Sequence, residues 1–158
     1  MRPAPPLVFV VNGPNLDKLG SRQPEIYGST TLNQLEDTIR ARASELGLAV
    51  DFFQSNDEDE LTKAVADAPA RGAAAILINP AALSHFSYPL RETLAGTGLP
   101  VVEVHISNIH AREPFRRLSL VSGVAKGVIA GLGVNGYVLA LEAIAGMVGV
   151  PQKGARTP

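Results

Sequence analysis

Five short apolar segments recur along the chain, and stretches of helical character lie between most of them. The segments are Leu7–Val11, Ala49–Phe53, Ala73–Ile78, Val101–Ile106 and Val124–Ala130. Strands that alternate with helices are typical of a parallel sheet, because parallel neighbours need a crossover connection that is usually a helix. The sequence therefore predicts an α/β protein with a five-stranded parallel sheet.

The helices are marked by apolar periodicity and by capping residues. The clearest covers about Thr31 to Leu46, where Thr31 and Gln34 form a capping box and Gly47 supplies the stop. Further helices are predicted over about 57–68, 88–94 and 135–147. The order predicts a doubly wound, flavodoxin-like sheet in three αβα layers, with ligands beyond the carboxyl ends of the strands.

Chain length and loop length predict the domain organisation. A chain of 158 residues has the size of one domain, so we expect a single catalytic domain over residues 1–150 and a disordered tail over 151–158. Asn12–Ser29 reads as a loop of 18 residues, which is uncommon inside a compact domain. We therefore expect this segment to be functional, with about residues 16–29 forming a lid over a site.

Composition excludes several functional classes. The chain has no cysteine, which excludes disulfides, thiolate metal sites and a cysteine nucleophile. Lys and Arg number 14 against 15 acidic residues, so the basic bias of a nucleic-acid binder is missing. No apolar run approaches the roughly 18 residues of a membrane span. We expect a cytoplasmic protein that binds neither nucleic acid nor membrane.

Polar residues follow four of the predicted strands. They are Asn12-Gly13-Pro14-Asn15, Gln54-Ser55-Asn56, Asn79-Pro80 and His105-Ile106-Ser107-Asn108. Any one of these segments could be an ordinary turn. Four of them at the edge where doubly wound sheets bind ligands indicate a site.

The histidines favour acid–base chemistry over metal binding. Glu103 and His105 lie two positions apart on one strand, hence on one face, where a carboxylate can orient an imidazole and favour its protonated form. That pair suits a general acid, and the alternative is an ion pair at a strand edge. His110 is interpreted as structural. Since His85, His105 and His110 show neither HxH nor HxxxH spacing, no metal site is predicted.

Tyr27 lies in the predicted lid, five positions after Arg22. A tyrosine on a loop is often a packing anchor. The chain has only three tyrosines and no tryptophan, however, and an arginine near this one could stabilise a phenolate. Tyr27 is therefore a candidate base.

Two alternatives to an enzyme have less support in the sequence: a nucleotide-binding module and a receiver-type regulatory domain. Gly131–Gly136 fits the GxGxxG pattern of a nucleotide site, but a Rossmann unit needs another strand and an acidic residue about 20 positions later, where this chain has reached its Lys153-Gly154-Ala155-Arg156 tail. Close packing of the last strand and helix explains these glycines better, so a nucleotide-binding module remains only an alternative. A receiver-type regulatory domain needs carboxylates where Asn12 and Asn15 stand.

The chain resembles the type II 3-dehydroquinate dehydratases over nearly its whole length. The resemblance is carried, in order, by VNGPNLDKLGSRQPEIYG, FFQSN, LINPAALSHFSYPLRE, PVVEVHISNIHAREPFRRLS and GVIAGLGVNGYVLALEA. It implies a flavodoxin-like fold, a homododecamer built from trimers, no metal or organic cofactor, and the conversion of 3-dehydroquinate to 3-dehydroshikimate. The type I enzyme runs the same reaction on a barrel of about 250 residues, for which this chain is too short.

The resemblance also implies a role for each candidate residue. Tyr27 would be the base, Arg22 the lid arginine, Asn15 the holder of a water that solvates the enolate, and His105, backed by Glu103, the acid. Asn79, Ile106 and Ser107 would bind the substrate carboxylate, His85 and Arg116 the ring hydroxyls, and Arg112 would lie near Tyr27 and stabilise its anion.

The sequence departs from the family pattern at a few positions. Glu92 stands where an aspartate usually reaches a neighbouring subunit's site, Ala81 where glycine is frequent, and Phe86 where a small polar residue is frequent. Asp57-Glu58-Asp59 replaces a common His-Glu-Gly pattern. None of these departures removes a group with an implied catalytic role.

Overall fold

A computed structural model describes residues 3–150 of the chain, so the predicted tail 151–158 lies outside the described residues. It contains one five-stranded sheet in which every pairing is parallel. The strands are β1 (Leu7–Asn12), β2 (Ala49–Gln54), β3 (Ala73–Asn79), β4 (Val101–His105) and β5 (Gly127–Ala130). Their order, β2-β1-β3-β4-β5, is the flavodoxin order and confirms the predicted fold class.

Helices cover both faces of the sheet. They are α1 (Pro24–Tyr27), α2 (Leu32–Leu46), α3 (Glu58–Asp67), α4 (Tyr88–Gly96) and α5 (Asn135–Met147). Val8 and Val10 of β1 point into a core with α2 and α5, whereas Phe9 and Val11 point into a core with α3 and α4. Successive strand residues face opposite sides, so β1 contributes to both cores.

The predicted capping box begins α2. The Thr31 hydroxyl accepts from the Gln34 amide at 3.2 Å, and the Gln34 side chain accepts from the Thr31 amide at 3.0 Å. Gly47 ends the helix with φ 75°, a left-handed conformation that glycine adopts at little cost. Leu35, Ile39 and Ala43 form its buried stripe.

The predicted 18-residue loop is in part helical, which corrects the sequence interpretation. Leu16–Lys18 forms a 3₁₀ turn, with Leu16 and the nearby Leu19 buried in the core. Pro24 occupies the first turn of α1, where its fixed φ suits a helix, and Gly28 with φ 80° ends that helix. Tyr27, the last residue of α1, packs against the same core.

The bounds of β4 and β5 also differ from the prediction. β4 ends at His105, and β5 begins at Gly127 because Ser122–Val124 is a 3₁₀ turn. Short 3₁₀ turns have no apolar periodicity to predict them from. No helix within residues 3–150 is long and apolar enough to cross a membrane.

The ends of β1 and β3 approach closely at Gly13. Its amide donates to the Asn79 carbonyl at 2.8 Å, and a Cβ at this position would lie 2.5 Å from the Pro80 carbonyl oxygen. Only glycine therefore fits here. The contact joins the two strands at the switch point of the sheet, where doubly wound proteins bind ligands.

Candidate active site

One cavity opens beyond the carboxyl ends of β1, β3 and β4. All the predicted site residues except Glu92 and Glu103 line it: Asn15, Arg22, Tyr27, Asn79, His85, His105, Ile106, Ser107, Arg112 and Arg116. Three of them are arginines, and no carboxylate belongs to the lining formed by residues 3–150. The cavity is therefore suited to an anionic ligand.

Tyr27 reaches the cavity from α1 and is held by an arginine from the segment after β4. Arg112 Nη1 donates to the Tyr27 hydroxyl oxygen at 2.8 Å and to Ser107 Oγ at 3.2 Å. The Arg112 guanidinium carbon also lies 5.4 Å from the Tyr27 ring centroid. The arginine that contacts the phenol is therefore Arg112, whereas Arg22 lines the cavity from an exposed position.

Glu103 and His105 form a buried pair on β4. Glu103 Oε1 lies 3.5 Å from His105 Nε2, and both side chains are almost fully buried. This separation is long for a hydrogen bond, and Nε2 has no hydrogen-bond partner within residues 3–150, so the contact is electrostatic. Since β4 lies between β3 and β5, the strand-edge alternative is wrong.

Two serines that sequence reasoning missed hold the Glu103 carboxylate. The Ser119 hydroxyl donates to Oε1, and the Ser122 hydroxyl donates to Oε2 at 2.5 Å. Burial raises the pKa of the Glu103 carboxyl, but the His105 ring and the two hydroxyls outweigh burial and lower this pKa below its usual value. Glu103 is therefore a buried carboxylate anion at neutral pH.

The lowered Glu103 pKa predicts an acid-sensitive contribution to stability. The folded state binds this proton less tightly than the unfolded state. The stability that ionised Glu103 gives to the folded state is therefore fully present above the carboxyl pKa of the unfolded chain, about 4.3. It is lost as pH falls through the lower pKa of the folded state. In Glu103→Gln, we expect urea midpoints measured at decreasing pH to fall less steeply than in the wild type.

Asp67→Asn, at the exposed end of α3, is the matched control and should follow the wild-type acid profile. If Glu103→Gln and wild type lost stability in parallel throughout the acid range, Glu103 would not be a stabilised anion.

His85 follows β3 in a 3₁₀ turn, Ala81–His85. Its Nδ1 lies 2.8 Å from the Leu118 carbonyl oxygen, which can only accept, so Nδ1 carries the proton. In the neutral ring Nε2 is then an acceptor, suited to a ligand hydroxyl. The ring packs edge-on against Phe115, and Arg116 pairs with Glu113 beside it.

Asn15 adopts a left-handed conformation with φ 70°. Its amide donates to Asn56 Oδ1 at 2.8 Å, and the Asn56 side chain also accepts from Gln54 Nε2 at 3.1 Å. The end of β2 therefore holds the start of the segment that carries Tyr27. The sequence marks the segment Gln54-Ser55-Asn56 as a strand end but does not indicate this supporting role for Asn56.

Asn79 belongs to a buried network behind the cavity. Its Nδ2 donates to the Tyr137 hydroxyl at 2.9 Å, and that hydroxyl donates to Asn12 Oδ1 at 2.6 Å. Tyr137 is fully buried in α5, and burial raises the pKa of its phenol, so it stays neutral. Sequence reasoning missed Tyr137 because a tyrosine in an apolar helix resembles core.

Glu92 lies outside the cavity. It is exposed on α4 and pairs with Arg91. A contact with a neighbouring subunit's site therefore stays a prediction for this residue.

The glycine-rich loop has amides that are already bonded. The Gly131 amide donates to the His105 carbonyl, the Gly133 amide to the Ile106 carbonyl, and the Gly136 amide to the Gly133 carbonyl. A phosphate would need such amides free. Within residues 3–150, no cluster of three or more potential metal-ligating side chains is found.

The chain is similar to known proteins over most of its length. The family profile described as "Dehydroquinase class II" matches residues 6–145. A 3-dehydroquinate dehydratase of Methylococcus capsulatus is 52% identical over 136 residues, which cover 86% of this chain and 92% of that protein. A 3-dehydroquinate dehydratase 2 of Corynebacterium efficiens is 56% identical over 140 residues, covering 87% and 96%.

The fold of this chain is also similar to that of a solved structure. The type II dehydroquinase of Propionibacterium acnes superposes with a TM-score of 0.85 at 43% identity, covering 89% of this chain and 96% of that one.

Proposed function

The chain belongs to the class II dehydroquinase family, and from this premise we infer that it is a hydro-lyase that converts 3-dehydroquinate to 3-dehydroshikimate. The observation that carries the proposed mechanism is that Tyr27, contacted by Arg112, and His105, beside the buried Glu103 anion, line one arginine-rich cavity. A base and an acid at one anion-binding site are what elimination of water next to a ketone requires.

Tyr27 is the proposed base. As the phenolate, it would remove the proton at C2, next to the C3 ketone, and leave the electron pair in an enolate. The Arg112 N–H that donates to the Tyr27 oxygen supports this assignment, because a hydrogen bond from a cation favours an anionic acceptor. Arg22, which also lines the cavity, would add positive charge near the phenolate.

Asn15 is the proposed holder of a water that donates to the enolate oxygen. Oriented donors at a developing oxyanion typically contribute about 3 kcal/mol. The bond from the Asn15 amide to Asn56 supports the assignment, because it fixes the backbone from which the Asn15 side chain projects.

His105 is the proposed acid. It would protonate the C1 hydroxyl, which leaves as water while the enolate electrons form the C1–C2 double bond and restore the ketone. The Glu103 carboxylate beside the ring would balance the charge of a protonated imidazole and fix its orientation.

The remaining lining residues are proposed to bind the substrate. Asn79, Ile106 and Ser107 would hold the carboxylate, whereas His85 and Arg116 would hold ring hydroxyls. The bond from His85 Nδ1 to the Leu118 carbonyl supports this assignment, because it makes Nε2 of the neutral ring an acceptor for a hydroxyl.

An ultraviolet assay tests the proposal. The product is a conjugated enone and the substrate is not, so purified wild-type protein should raise the absorbance of a 3-dehydroquinate solution. Tyr27→Phe protein prepared identically controls for a contaminating host dehydratase. No product from the wild type, or equal rates from both proteins, would contradict the proposed function.

We also propose a homododecamer of trimers in the cytoplasm, with Glu92 reaching a neighbouring subunit's site. The exposed position of Glu92 on α4 supports this contact. A light-scattering mass of a single subunit at working concentration would refute the assembly.

A further inference from the structure

Tyr137 connects the two strand ends that frame the cavity. Asn12 is the last residue of β1 and Asn79 the last of β3, and the two pair in register across the sheet. The Tyr137 hydroxyl, from α5, accepts from Asn79 and donates to Asn12. All three residues are at least nine-tenths buried, and only Asn79 lines the cavity.

The orientation of the Asn79 amide is fixed by the chemistry of its neighbours. The Ala81 amide lies 3.1 Å from Asn79 Oδ1 and can only donate, so the side-chain oxygen must face it. Nδ2 then faces Tyr137. Ala81 has φ 51°, a left-handed conformation that favours glycine, so this backbone N–H is held in place at some strain.

We propose that Tyr137 is a positioning residue for anion recognition. By accepting one Nδ2 hydrogen of Asn79, it aims the other, which has no partner within residues 3–150, at a carboxylate in the cavity. The donation to Asn12 anchors the Tyr137 hydroxyl, so the three groups form one directed chain of hydrogen bonds. This inference rests on the proposed function, which gives Asn79 the substrate carboxylate.

Tyr137→Phe tests the proposal through the difference between charged and uncharged ligands. Quinate, a ring acid with the substrate's carboxylate, and its methyl ester are titrated calorimetrically into both proteins. Without the hydroxyl, the Asn79 side chain keeps only its bond from the Ala81 N–H, so Nδ2 is no longer held in one direction. The preference for the acid over the ester should therefore fall about tenfold, the equivalent of one hydrogen bond to a charged group.

Steady-state kinetics of Tyr137→Phe provide a second test. A lost interaction that substrate and transition state share raises KM and leaves kcat nearly unchanged. KM for 3-dehydroquinate should therefore rise about tenfold in Tyr137→Phe. Asn12→Ala, which removes the carboxamide that accepts from the Tyr137 hydroxyl, should change KM in the same direction.

Ile144→Val is the matched control, because Ile144 is fully buried in the same helix and does not line the cavity. It should lower stability and leave the acid-to-ester preference unchanged. An unchanged preference in Tyr137→Phe as well would overturn the proposal and make Tyr137 purely structural. The calorimetric comparison needs no turnover, so its result is separate from failure of wild-type dehydration.

Discussion

Tyr27→Phe should lower kcat for dehydration by about a thousandfold, because general bases typically contribute factors of about 10² to 10⁴. The substitution removes only the oxygen that accepts from Arg112 and leaves a ring that can still pack against the core. Affinity for quinate should stay within about threefold of wild type, since the base acts in the transition state. Steady-state rates and calorimetric titration measure the two quantities.

Tyr88→Phe is the control for this substitution. Tyr88 begins α4 and is 65% exposed, outside the cavity lining, so removing its hydroxyl should change neither rate nor binding. A Tyr27→Phe enzyme that kept a tenth or more of the wild-type kcat would exclude Tyr27 as the base. A large loss of quinate affinity would instead assign it to binding.

The fold could be predicted because each element has a local signature. The capping box at Thr31 and the apolar stripe behind it specify α2, and the predicted bounds of α5 agree with those observed. β1, β2 and β3 each extend one residue further than predicted, to Asn12, Gln54 and Asn79. These polar residues still pair in the parallel ladder, which apolar patterning alone does not reveal.

Asn15, Asn79, His105 and Ser107 could be predicted to lie together because they stand at strand ends, which the sheet topology brings together, whereas Tyr27 is a candidate through its place in the long segment after β1. The residues that orient these cavity-lining side chains could not be predicted. Ser119 and Ser122 lie in a segment without periodicity, yet they hold Glu103 from 16 and 19 positions away. Asn56 supports Asn15 across 41 positions and Tyr137 supports Asn79 across 58, so these partners depend on tertiary structure.

His105→Gln should separate the two halves of the reaction. The variant loses the proposed acid, so dehydration should slow by about a hundredfold or more. Proton removal at C2 depends on Tyr27, so exchange of that proton with deuterated solvent should continue. Mass spectrometry of recovered 3-dehydroquinate would then show deuterium incorporated faster than product forms, whereas Tyr27→Phe should show neither exchange nor product.

His110→Gln is the matched control, because His110 is exposed on the 3₁₀ turn Ile109–Ala111 and does not line the cavity. It should retain wild-type dehydration. If His105→Gln lost exchange and dehydration to the same extent, His105 would act before or during proton removal, and a separate acid step would be wrong. If it lost neither, the His105 ring beside Glu103 would serve packing alone, and another group would have to protonate the departing hydroxyl.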